Sequence, residues 1–147
     1  MFLDLLSNQV FQTIIAGVFV FITSQYILLF IIEPFREYKR VIARIDNKLK
    51  FYSNVIVNPP FSDALPEDYL IAKQELRQLS CELESAYKML PLHRHRRDKT
   101  KISEAVRDLI WLSNATGHKD NTGTVNVPLM ANDKIKVIRE KLKIQEL

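Results

Sequence analysis

The sequence predicts an all-α protein with one N-terminal transmembrane helix and a water-soluble domain of about four helices. Residues 5–32 contain no charged side chain. As a helix, residues 10–32 would span about 34 Å, more than the roughly 30 Å hydrocarbon core of a bilayer. Beyond them, apolar residues recur at alternating steps of three and four, the spacing of one helix face. We therefore predict a transmembrane anchor over residues 1–33 and a helical domain over residues 34–147.

The charges that flank the apolar segment predict its orientation. No Lys or Arg precedes it, whereas Arg36, Lys39, Arg40 and Arg44 follow it. Because positive flanks stay on the cytoplasmic side, we expect a single-pass protein with the N-terminus outside and a cytosolic helical domain. A cleavable signal peptide and a buried core helix are the alternatives. The first would need a basic start, a shorter apolar core and a small-residue cleavage site, which are lacking.

Composition limits the partners and the chemistry. Residues 34–147 carry 21 basic and 15 acidic side chains. This excess suits an anionic membrane surface or ligand, and it is too small for a dedicated binder of double-stranded nucleic acid. The single Cys81 excludes an intrachain disulfide and a multi-cysteine zinc site. No HExxH, GxSxG or CxxC motif occurs, so we predict no enzyme activity, no catalytic residue and no cofactor.

Two heptad patterns predict a pair of antiparallel helices. Seam 1 consists of Phe35, Tyr38, Ile42, Ile45, Leu49, Tyr52 and Ile56. Its helix is expected to continue from the anchor as a stalk and to end before Asn58-Pro59-Pro60. Seam 2, in a helix that begins near Pro66 and ends at Pro91, consists of Tyr69, Ala72, Leu76, Leu79, Leu83, Ala86 and Leu90. The two seams are expected to face each other or other subunits.

Two further helices complete the predicted domain. The third covers about residues 99–115, with Gly117 as its C-terminal cap and an apolar face of Ile102, Val106, Leu109, Ile110 and Leu112. Residues 124–127 alternate in polarity, which predicts a short extended piece. Asn132 or Asp133 is expected to cap the last helix, which contains Ile135, Ile138 and Leu142.

Two segments carry candidate ligand-binding residues. The turn after the second helix contains Arg94, Arg96, Arg97 and Lys99. Guanidinium groups bind phosphate bidentately, and the following helix start adds free N–H donors. A donor-rich loop after the third helix contains Asn114, His118, Lys119 and Thr122. A solvated turn and an ordinary connecting loop are the alternatives. His93 and His95 lack further ligands nearby, so no metal site is predicted.

The membrane segment has a face of small and hydroxyl side chains. Its candidate packing residues are Thr13, Ala16, Gly17, Val20 and Ser24. Such a face allows helices to approach closely in lipid, so it predicts association of several copies. Chance placement is the alternative.

Residues 33–59 contain a motif of the form Y-x6-I-x5-FYxN-x3-NP. Its positions are Tyr38, Ile45, Phe51, Tyr52, Asn54, Asn58 and Pro59. With Leu76-Arg77-x-Leu79 and Leu112-Ser113-Asn114, this stretch resembles a group of small bacterial single-span membrane proteins. The resemblance implies a bacterial inner-membrane protein. The overall plan is also similar to membrane effectors of type III CRISPR systems, in which a cytosolic domain binds a cyclic oligoadenylate and perturbs a bundle of membrane helices.

Two functions follow as expectations. The first is a homo-oligomeric membrane effector whose cytosolic domain binds a phosphate-bearing signal, with a cyclic oligonucleotide as one candidate, and perturbs the membrane in antiviral defence. The alternative is a non-enzymatic inner-membrane anchor or scaffold for a protein partner.

Overall fold

The structure, a computed structural model, describes residues 9–58, 66–91, 98–117 and 127–143. Every regular element among these residues is helical, which confirms the all-α prediction. In chain order the elements are α1 (Gln9–Ile27), a π-helical turn (Leu28–Ile32), α2 (Glu33–Phe51), α3 (Ser53–Val57), α4 (Glu67–Met89), α5 (Lys99–Ala115) and α6 (Val127–Lys141).

The helix Gln9–Phe51 runs without a break through α1, the π-helical turn and α2. Within the described ranges it is the one helix that is long and apolar enough to cross a membrane, and none of its apolar window is buried against the protein. The core helix of a soluble protein would have at least one apolar face covered. The uncovered surface of α1 therefore supports a membrane span.

Pro34 accounts for the π-helical turn just before α2. Proline has no N–H, and its ring clashes with the carbonyl group four residues earlier, here that of Phe30. In this turn the N–H of Glu33 donates to the carbonyl oxygen of Leu28, five residues back. The hydrogen-bond pattern is thereby shifted by one residue immediately before the proline, and the helix passes Pro34 instead of ending there.

Helices α2, α4, α5 and α6 form an up-down-up-down four-helix bundle. Arg44 of α2 binds Glu82 of α4 at 2.7 Å, and Lys48 binds Glu75 at 3.2 Å, so later residues of α2 meet earlier residues of α4. Near the beginning of α4, Ser113, close to the end of α5, donates through Oγ to the carbonyl oxygen of Lys73 at 2.8 Å. Both pairs are therefore antiparallel, as predicted for the first.

The fourth helix closes the bundle against α5 and α3, and side chains near its end also reach α2. Nε of Arg139 on α6 lies 3.0 Å from a carboxylate oxygen of Asp46 on α2. Leu142, just after α6, lies beside Phe35 and Ile42 near the start of α2. Late residues of α6 therefore meet early residues of α2, and these two helices are antiparallel as well.

Seams 1 and 2 face each other within one protomer. The core contains most members of both seams: Ile45, Leu49, Tyr52 and Ile56 of seam 1, with Ala72, Leu76, Leu79, Leu83, Ala86 and Leu90 of seam 2. Because these side chains are buried in their own protomer, they are not available to other subunits. The helix continues from the apolar segment as predicted. Phe35 and Tyr38 already pack against this core, so the bundle begins within one turn of that segment and the helix does not stand apart from the bundle as a stalk.

Of the two capping predictions for the last two helices, the one for the end of α5 agrees with the structure and the one for the start of α6 does not. α5 has the predicted bounds, and Gly117 follows it with φ 78°, a left-handed conformation that glycine adopts without strain. The predicted start of the last helix was wrong, because α6 already begins at Val127 and includes Asn132 and Asp133. Pro128, which suits a first helical turn, was the better signal. Residues 124–126 of the predicted extended piece lie outside the described residues, whereas Val127 is helical.

A buried carboxylate joins α5 to α6. Asp108 accepts a hydrogen bond from Nζ of Lys134 at 2.6 Å and another from Nζ of Lys141 at 2.9 Å. Lys141 also lies 3.1 Å from Glu104. Burial alone would raise the pKa of Asp108, but the hydrogen bonds and charges of the two lysines outweigh it, and the pKa lies below its ordinary value of 3.8.

The same contacts act in the opposite sense on Lys141. Burial would lower its pKa, yet hydrogen bonds to Asp108 and Glu104 raise it above 10.5. A carboxylate with a depressed pKa stabilises the fold above its unfolded pKa, and this stabilisation is lost as the pH falls through the folded value. The network is therefore intact at neutral pH and weakens only in strong acid or strong base.

Replacing Asp108 with Asn should destabilise the bundle at pH 7 by about 2 kcal/mol, because two lysines lose their charged acceptor. The variant should also lose less stability than the native chain when the pH is lowered below about 4. Thermal unfolding of the detergent-solubilised full chain, followed by circular dichroism at several pH values, measures both effects. Asp133→Asn is the matched control, since Asp133 is an exposed α6 residue that makes no ion pair with a described residue. An equal effect of both substitutions would contradict the prediction.

Candidate ligand-binding groove

A groove of about 490 Å³ lies between the end of α4 and the beginning of α5. Its volume is within the range typical of small-molecule sites. One of its lining residues, Tyr87, also contacts Tyr38 of α2, with 6.1 Å between ring centroids. The groove is therefore at the end of the bundle nearest the span.

The floor of the groove is apolar and its rim is polar. Tyr87 of α4 and Ile102 and Val106 of α5 are buried and form the floor. Three α5 residues at helical spacing of four line one side, because they share a face of that helix: Lys99, Ser103 and Arg107. The opposite side is formed by Glu84 and Lys88 of α4.

The rim carries an excess of positive charge. Lys88 is paired with Glu84 at 2.6 Å, whereas Lys99 and Arg107 form no ion pair with any residue in the described ranges. Lys99 also begins α5, where Asp98 makes no side-chain capping hydrogen bond, and the first N–H groups of a helix lack intrahelical acceptors. The arrangement can hold anionic oxygens at the rim and an apolar or aromatic group on the floor.

The structure separates the two described members of the predicted ligand set. Lys99 lies on the groove, but Asn114 is exposed near the other end of α5, about 22 Å away by helical rise. They cannot contact one small ligand within a protomer. Six predicted ligand residues lie outside the described residues: Arg94, Arg96, Arg97, His118, Lys119 and Thr122. In the sequence, residues 92–97 connect Pro91 to Asp98, the residue before Lys99.

Sequence reasoning missed Arg107, Ser103 and Tyr87 as groove residues. The spacing of Lys99, Ser103 and Arg107 was a readable signal for a polar stripe on α5. Tyr87 carried no such signal, because its place on the groove depends on the register of α4 against α5. No three His, Cys, Asp or Glu side chains come close enough to hold a metal ion in the part of the chain that the structure describes.

The predicted small-residue face of the span lies on one side of a single helix. Thr13, Ala16, Gly17, Val20 and Ser24 all lie in α1, and their spacing places them on one side. The hydroxyls of Thr13 and Ser24 donate to the carbonyl oxygens of Gln9 and Val20 at 2.9 and 2.7 Å, so they can face lipid or protein. A Cβ atom at Gly17 would meet no atom within 4 Å.

No protein-family model matches this chain, and neither the curated proteins nor the solved structures include a significant match. The two resemblances therefore stay predictions, and the groove and the candidate span are the features of this chain that bear on its function.

Gly17→Leu tests whether the small-residue face joins copies of the chain. A Cβ atom at this position meets no atom of its own protomer within 4 Å, so the larger side chain should leave the fold unchanged while preventing close helix approach. We expect self-association in detergent, measured by sedimentation or light scattering, to weaken by at least about tenfold, or about 1.4 kcal/mol. Ile22→Phe adds bulk on the opposite face, where Ile22 is 60% exposed, and should have little effect. A native chain that stays monomeric in detergent would contradict the prediction.

Proposed function

We propose that this protein is an oligomeric effector of the inner membrane whose cytosolic bundle binds a phosphate-bearing signal and rearranges its membrane helices in response. The observation that carries the proposal is the continuity of the helix Gln9–Phe51, which provides the candidate span and then packs into the bundle core through Ile45 and Leu49. A change in how α2 packs would therefore move a rigid helix that continues into lipid.

The groove is placed to produce such a change. Tyr87 lines the groove and contacts Tyr38 of α2, and Tyr38 lies less than two turns after the π-helical turn. A ligand that alters the position of Tyr87 would press on α2 close to the span. It would shift the equilibrium only by its difference in affinity for the two arrangements, and helix shifts of 1–2 Å are an established form of such transitions.

The chemistry of the groove suits a nucleotide-like signal. Phosphate oxygens would bind Lys99 and Arg107, and a base would lie on the apolar floor beside Tyr87. A cyclic oligonucleotide is larger than one groove, so its binding would engage the grooves of neighbouring copies. A signal of this class fits an antiviral defence response in which the activated effector perturbs the membrane.

An anchor or scaffold for a protein partner is the alternative function. Its supporting observation is Phe51, which is 73% exposed at the end of α2 farthest from the span. Large exposed aromatic side chains are enriched where proteins bind one another. A scaffold would need neither a groove ligand nor a response of the span.

The proposed orientation predicts that a reporter enzyme fused after Leu147 will be active only if it requires the cytosol. A reporter enzyme that is active only in the periplasm should be inactive when it is fused at the same position, because the basic residues after the span stay in the cytosol. Activity of the periplasmic reporter would overturn the orientation. Reversing the charges with Arg36→Glu and Lys39→Glu should weaken the preference.

The proposed ligand site predicts that Lys99→Ala together with Arg107→Ala will weaken binding of a phosphate-bearing ligand. Each charge-assisted contact contributes about 1.5 kcal/mol or more, so the double variant should bind at least about a hundredfold more weakly. Calorimetry on the detergent-solubilised full chain, with inorganic phosphate and a panel of linear and cyclic nucleotides, measures the affinity.

A matched control for this experiment is Arg77→Ala together with Lys136→Ala, which removes one arginine and one lysine from exposed positions outside the groove. The control should bind as the native chain does. If no nucleotide binds, or if the two double variants lose affinity equally, the groove is not the site and the scaffold function is favoured.

A further inference from the structure

We infer that the end of the bundle nearest the span docks on the anionic lipid headgroups of the leaflet from which the span emerges. The inference depends on α1 crossing the membrane but not on the proposed signal. It assigns an interaction surface to Arg36, Lys39, Lys101 and Lys143, together with the exposed side chain of Met89.

The absence of a stalk places this surface at the membrane. Phe35 packs against the bundle core and lies about 4.5 Å along the helix beyond Ile32, the last residue of the uncharged segment. The headgroup layer on each side of a bilayer is about 5–8 Å thick. The end of the bundle that begins at Phe35 therefore lies inside or directly against the headgroups.

All four bundle helices contribute to this end. Leu142 and Lys143, which follow α6, lie beside Phe35, Tyr38 and Lys39 of α2. Met89 is two residues beyond Tyr87, which contacts Tyr38. The antiparallel arrangement brings the first turn of α5, with Lys101, to the same level as the last turn of α4.

Exposed basic side chains that make no ion pair with a described residue lie at the end of the bundle nearest the span. Arg36, Lys39, Lys101 and Lys143 are exposed, and none of them forms an ion pair with another residue in the described ranges. At the opposite end, the first turn of α4 begins with the exposed acids Glu67 and Asp68. Near that end Lys48 binds Glu75 and Lys50 binds Asp46. Unpaired cations next to a membrane are attracted to the anionic lipids of its cytoplasmic leaflet.

Met89 gives the surface an apolar contact as well. It is the last residue of α4 and is 67% exposed, so at this end of the bundle its thioether is available to the zone where headgroups meet acyl chains. Surfaces that combine basic residues with an apolar side chain bind anionic membranes through both contributions. A zwitterionic bilayer would supply only the apolar one.

The test uses the full chain in nanodiscs, with a fluorescent label at Met89→Cys in a Cys81→Ser background. Quenching by brominated acyl chains should be at least about twofold stronger in discs with roughly a third anionic lipid than in zwitterionic discs, and high salt should remove the difference. The same label at Leu70→Cys, which is near the other end of α4 and 49% exposed, should show no quenching difference.

A variant with Arg36, Lys39, Lys101 and Lys143 all replaced by Gln should quench equally in both lipids, while its circular dichroism matches that of the native chain. Equal quenching of the native chain in both lipids would overturn the inference. So would a lipid difference that survives in the quadruple variant. Neither result involves a nucleotide, so failure here is distinguishable from failure of the proposed ligand site.

Discussion

One continuous helix of this protein has two different surfaces, apolar on all sides in its first half and amphipathic in its second, and the rest of the structure depends on this change. Up to Ile32 the helix Gln9–Phe51 carries uncharged, mostly apolar side chains on all sides, as lipid requires. From Glu33 to Lys50 the apolar side chains form one stripe, seam 1 with Val41, and the other faces carry charges. Helices α4 and α6 pack on this stripe, and α5 packs on both of them. The bundle therefore buries the apolar stripe.

Polar contacts fix how those helices are aligned. Asp108 fixes α6 against α5 through Lys134 and Lys141, and Asp46 fixes α6 against α2 through Arg139. Breaking such a contact leaves a charge without its partner, which costs more than the contact contributes. Apolar burial therefore supplies the stability of the bundle, and these ion pairs determine which alignment of the helices is stable.

Much of the fold was predictable because it follows from local spacing. Two seams with steps of three and four identified α2 and α4, and Gly117 located the end of α5. The start of α6 was not predicted correctly. Asn132 and Asp133 are residue types that often cap a helix, yet they lie inside a helix that Pro128 can begin. Burial of Asp108 was also hidden, because it depends on two lysines more than twenty residues away.

The candidate groove was predictable only in part, for the same reason. Lys99 stood out as a basic residue at a helix start, but a groove needs two walls, and no local pattern in α4 shows that Tyr87 faces α5. The antiparallel register of α4 and α5 supplies that information. The spacing of residues within one helix does not predict which side chains of different helices will contact one another, and a site between two helices depends on those contacts.

The π-helical turn has a consequence for how copies could assemble. Val20 and Ile45 are roughly 25 residues apart, close to seven full turns of an uninterrupted α-helix, so the small-residue face and the core face would then point in nearly the same direction. Bundles would collide above the axis on which the spans met. The extra residue in the turn rotates one face relative to the other by about 100°, in the sense that increases their separation. Spans could then meet along Gly17 while each bundle lies to the outside of the shared axis.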